Sequence, residues 1–92
     1  MHTEINKFAN SIYEEFKSDI SEAGRKYLDR WAVVFNSFDN TTTQKSMYVV
    51  AGEIFHMGAR YIRDDARWDE FRSMHHDFTD MIESWSQGNE ND

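Results

Sequence analysis

The chain has no cysteine. That excludes disulfide staples, thiolate catalysis and cysteine-ligated zinc, and it fits a reducing compartment. There is no proline and there are only four glycines in 92 residues. The chain therefore holds few hard breakers and no glycine-rich loop of the kind that cradles phosphates. No stretch approaches the ~20 apolar residues that a membrane span needs. The start, MHTEINKF, lacks the basic opening and apolar run of a secretory signal. The cytoplasm is the expected compartment, with no membrane partner. Nothing repeats internally.

Positive charge is scarce in one region only. Residues 1–63 hold eight acids and eight bases. Residues 64–92 hold nine acids against two bases, Arg67 and Arg72, so the whole formal charge of −7 sits in the last third. That asymmetry is the most informative feature of the sequence. It disfavours direct binding to nucleic acid or anionic lipid, both of which need positive charge.

Rings are plentiful: seven Phe, four Tyr and three Trp. Each buries about 150–250 Å², which supplies a core for a single domain of this length. The most apolar stretch is Met47 to Ile62, where Met47, Val50, Ala51, Ile54, Gly58, Tyr61 and Ile62 recur at helical spacing. It reads as a central helix over about 42–63. A first helix is expected over about 4–17, capped by Thr3, with Ile5, Phe8, Ala9, Ile12 and Phe16 inward. A second follows Asp19-Ile20-Ser21-Glu22, a capping-box pattern with Ser18 or Ser21 as alternative caps, and runs to about Phe38 with Tyr27, Trp31, Val34, Phe35 and Phe38 inward. Gly24 places its start in doubt. The polar stretch to Thr43 is the next turn, with Asn40 or Thr41 as cap. A fourth helix runs to about Trp85 with Trp68, Phe71, Met74 or His75, Phe78, Met81, Ile82 and Trp85 inward.

The third and fourth helices have two readings. The apolar rhythm of the third continues through position 65 to Trp68, so one long rod is open, and a rod would dimerise to cover its stripe. A break is favoured because position 65 is Asp, and Asp64-Asp65 suits a helix start. The expected fold is all-α, a small bundle of four amphipathic helices. It forms a single domain over 1–86 with a disordered acidic tail over 87–92, where Gly88 is the stop.

Three constellations bear on function. Asp65, Asp69, His76, Asp80 and Glu83 fall within a 60° sector of the fourth helix, with Glu70 and Asp77 beside it. Acids one turn apart lie about 6 Å apart, close to the spacing of phosphates along a DNA strand. The plain alternative is a solvated face. The second constellation is Glu53 and His56, a Glu-x-x-His pair. A symmetric dimer, with an acid such as Glu22 added, would complete a di-metal site of the ferritin-like kind. Over Tyr61 to Trp68 the chain is similar to the helix break of two-helix encapsulated ferritins. The plain reading makes Glu53, His56 and Arg60 local ion-pair partners. The third is His75-His76: His76 shares a face with Asp69 and Asp80, a spacing that metal sites use, while His75 lies on the apolar stripe. Arg25, Lys26 and Arg30 form a basic cluster that Glu22 and Asp29 would cancel.

No nucleophile motif is present, so an enzyme is not expected. The leading expectation is a protein-binding module without cofactor. It presents Asp65, Asp69, Glu70, Asp77, Asp80 and Glu83, with Tyr48 and Phe55 as flanking rings, to a basic surface of a nucleic-acid-binding partner. In composition the chain resembles phage-encoded inhibitors of host defence, the anti-CRISPR and anti-restriction proteins, and that resemblance implies an inhibitor or DNA mimic. The alternative is the metal-binding dimer around Glu53 and His56, with His76 as a further ligand.

Overall fold

A computed structural model describes the backbone of residues 2–90 and the side chains of residues 4–85. Four α-helices follow one another: α1 (His2–Phe16), α2 (Glu22–Asn36), α3 (Gln44–Tyr61) and α4 (Asp65–Glu90). A 3-10 turn, Lys17–Asp19, joins α1 to α2. The helices form an up-down-up-down bundle. Each packs chiefly against two others, α1 on α2 and α4, and α3 on α2 and α4. No helix is central, and α3 is one side of a square rather than its middle. Contacts give the antiparallel register: Tyr13 meets Asp29 and Asn10 meets Asn36, Phe16 meets Phe71 and Phe8 meets Phe78.

Caps explain the helix starts. Ser21 accepts from the Gly24 N–H at 3.3 Å and starts α2. Thr43, not Asn40 or Thr41, caps α3 by accepting from the Ser46 N–H at 3.1 Å, because Asp39 draws in Thr41 and Thr42 to close the preceding turn. Asp64 accepts from the Arg67 N–H at 3.0 Å and opens α4. Each such cap satisfies a helix N–H that has no partner within the helix and contributes about 1 kcal/mol. Thr3, the expected cap of the first helix, lies inside α1 as assigned, and its side chain is outside the described residues. Gly88 does not end α4, which is assigned through Glu90; residues 91–92 of the expected tail lie outside the described residues.

The core runs the length of the bundle. Ile5, Ala9, Ile12 and Phe16 of α1 meet Phe35, Met47, Val50, Ala51, Ile54, Phe71, Phe78 and Ile82, all buried. A smaller cluster of Ile20, Leu28 and Met57 closes the α1/α2 end. The inward stripe of α2 differs from the expected one: Gly24, Leu28 and Phe35 are buried, whereas Tyr27 and Val34 are exposed. Gly24 is the reason. A Cβ there would meet the Tyr61 ring at 2.6 Å, so the helix is turned to bring glycine, not Tyr27, against α3. Gly58 is tighter still, because a Cβ would overlap the Phe71 ring. No described helix is long and apolar enough to cross a membrane.

Candidate functional site: the outer face of α4

The break at Ile62–Asp64 sets the site. It folds α4 back along α3 and α1, so Phe71, Phe78 and Ile82 point inward and the intervening residues outward. Asp65, Asp69, Glu70, Asp77, Asp80 and Glu83 are all exposed. From Asp65 to Glu83 they extend over about 27 Å, since each residue rises ~1.5 Å. The structure thus brings the six expected carboxylates to one outward arc.

Two of them are neutralised locally. Arg72 pairs with Asp69 at 3.2 Å, and Arg67 pairs with Glu70 at 2.7 Å. Arg67 turns away from the arc. Its guanidinium also reaches Glu15 at 3.0 Å and Asp19 at 2.9 Å, and it lies 4.6 Å from the centre of the Phe16 ring. Hydrogen bonds to Asp19 and Glu15 push its pKa above the ordinary value, so the guanidinium stays charged. Among the described residues the negative charge with no Lys or Arg partner therefore concentrates at Asp77, Asp80 and Glu83, with Asp65 at the other end.

Two acids of α1 reach α4, one spent on Arg67 and one beside the C-terminal part of the helix. Glu15 meets α4 through Arg67, and Glu4 lines a hollow with Met81, Ser84 and Trp85. Charge counted along the chain hides both, because residues 1–63 sum to zero; only the antiparallel α1/α4 register brings them here. Of the expected flanking rings, Tyr48 is exposed. Phe55 is not: it packs on Trp68, Phe71 and His75 at centroid distances of 4.8–6.2 Å.

The histidines separate. His75 is half-buried, and its Nε2 lies 2.6 Å from the Ala51 carbonyl oxygen. Burial is the first cause that lowers its pKa, partly offset by that backbone contact. The neutral ring, donating from Nε2–H, is the form the core accommodates. His76 stands 3.2 Å from Asp80. His76, Asp77 and Asp80 bring ligand atoms within 4.8 Å of one another, and all three are exposed. Asp69, expected in that group, is held by Arg72 instead.

Glu53 and His56 line a groove of about 240 Å³ between α2 and α3, with Tyr27, Trp31, Met57, Arg60 and Tyr61. Glu22, the acid expected to join them, lies in a different hollow with Tyr13, Lys17, Arg25, Lys26 and Asp29. Among the described residues Glu53 and His56 gather no third ligand within the chain. The expected pairing of Glu53 and His56 with Arg60 is also not seen among the described residues, where Arg60 stacks on Tyr61. Asp29 accepts from the Tyr13 hydroxyl at 2.5 Å, which raises the Tyr13 pKa. Comparison with protein-family models, curated proteins and solved structures finds no match to this chain.

Proposed function

We propose that this protein is a non-catalytic binding module that presents the acidic outer face of α4 to a basic surface of a partner protein. The observation that carries the reading is the outward placement of Asp65, Asp77, Asp80 and Glu83, with no Lys or Arg partner among the described residues. A partner that binds nucleic acid is the favoured class, because its phosphate-reading lysines and arginines match a row of carboxylates. The module then acts as an inhibitor, a DNA mimic of anti-defence type, by occupying that surface. Attraction of this kind speeds encounter and weakens as salt screens it.

The test is capture from a lysate with the wild-type protein and the variant Asp69→Asn, Asp77→Asn, Asp80→Asn, Glu83→Gln side by side, at low and high salt. All four residues are exposed, so helical circular dichroism stays unchanged. The wild type retains a basic protein at low salt and releases it at high salt, and the variant retains none. Equal capture by both forms removes the proposal.

A further inference from the structure

Among the described residues most of the unpaired cations gather away from α4; Lys7, on α1, is the exception. Arg25, Lys26, Arg30, Lys45, Arg60 and Arg63 make no ion pair within the described part of the chain, and all belong to α2, α3 or the turn after α3. The large hydrophobic residues left exposed follow the same division. Tyr27, Val33 and Val34 lie on α2, and Tyr48 and Val49 on α3; none lies on α1 or α4. Lys45, Val49, Gly52, His56 and Arg60 follow at i, i+4, i+7, i+11 and i+15, so they share one exposed side of α3. Beside them are Tyr27 with Arg30 stacked on it, and Trp31. This face is apolar at its middle and chiefly cationic around it, with Glu53 as an acid lining its groove.

Gly52 sits inside that face. Glycine in a helix interior costs about 1 kcal/mol against Ala. Gly24 and Gly58 each accommodate a ring, but a Cβ at Gly52 would meet nothing within 4 Å. The fold gives no reason for a glycine there, whereas close approach of another surface does.

We infer that the α2/α3 face is the docking site for the acidic α4 face of a second copy of this chain. The inference rests on the reading of α4 as a docking face. Charge complementarity selects the occupant. The receiving face is cationic and carries exposed Tyr and Val, which suit a protein surface, and α4 supplies carboxylates over a matching length. Lys45 and Arg60 lie fifteen residues apart on α3, about 22 Å along the axis, and Asp65 and Asp80 are equally far apart on α4. The net −7 on each copy opposes this association at long range, but screening confines that term to about 8 Å at physiological ionic strength, so the local faces decide. Two helices about 25 Å long and 10 Å apart offer roughly 500 Å² per partner, at the lower edge of specific interfaces. The association is therefore weak and concentration-dependent. Because α2 lies diagonally across the bundle from α4, the contact is head to tail, and copies add beyond a dimer into an open chain or a ring.

Sedimentation equilibrium of the full chain, from micromolar to millimolar concentration, tests this. The average mass rises with concentration and passes that of a dimer. Arg30→Glu with Arg60→Glu stays monomeric, Asp77→Lys with Asp80→Lys stays monomeric, and their equimolar mixture associates again. Gly52→Gln, which changes no charge, weakens association at least tenfold. All these positions are exposed, and circular dichroism verifies the fold of each variant. A wild-type monomer throughout, a plateau at the dimer, or wild-type association by the arginine variant overturns the inference. A wild-type monomer that still captures a basic partner from lysate overturns this inference alone. Head-to-tail association with no capture sustains it and limits α4 to self-recognition.

Discussion

Arg67 joins three parts of the chain through one guanidinium. It bonds the Glu15 side chain and carbonyl oxygen, the Asp19 carboxylate at the end of the 3-10 turn, and Glu70 on its own helix. Removing it leaves three carboxylates facing one another with no cation. Arg67→Ala is expected to lower the urea midpoint, and Asp19→Asn in that background to restore part of the loss. A double-mutant cycle that shows no coupling between the two positions would contradict this. His75 gives a second expectation. Its folded pKa lies below its ordinary value of about 6.5, so the native state resists the proton that the unfolded chain accepts. Stability is fully present above about pH 6.5 and falls as pH drops from there towards the folded pKa. Urea midpoints measured across that range should decline for the wild type. His75→Gln, which keeps a donor for the Ala51 oxygen, should flatten the decline; an unaltered slope would place the titration elsewhere.

At the level of the helices, the glycines give opposed expectations. Gly58→Ala forces the Phe71 ring out of its place and should destabilise by about 1–3 kcal/mol, the usual cost of overpacking. Gly52→Ala meets no atom and should stabilise by about 0.5–1 kcal/mol. Denaturant titrations read both, and a shared sign would refute the assigned packing. The inward stripes of α1, α3 and α4 were legible from spacing because a helix with one apolar side has one way to face a core. The stripe of α2 was not legible. Tyr27 and Val34 fit the periodicity, but Gly24 gives closer approach to Tyr61, and residue spacing carries no information about ring-to-backbone contact. The α3/α4 break was legible because Asp64 and Asp65 carry both a capping side chain and a charge that a continuous rod would bury.

Across the whole molecule, the fold divides charge that the sequence distributes only in part. The negative excess after residue 63 was visible in the residue count, and so was its alignment on one arc of α4. The cationic face was hidden. Arg25, Lys26 and Arg30 stand beside Glu22 and Asp29 in the sequence, but Asp29 is taken by Tyr13, and no ion pair forms between those neighbours among the described residues. The place of Glu4 beside α4, and of Glu15 on Arg67, was equally hidden, since it depends on helices far apart in the chain. The resulting molecule has an acidic face on α4 and an apolar, cationic face on α2 and α3.

The central claim is that α4 is the surface that meets a basic partner, and a footprint reads it most directly. Backbone amide shifts of the labelled protein, kept dilute enough to be monomeric and followed by NMR as the captured partner is added, should change over 65–83 and at Glu4 while α2 and the outer side of α3 stay still. Changes centred on Tyr27, Trp31 and Arg60, with α4 unmoved, would contradict the account.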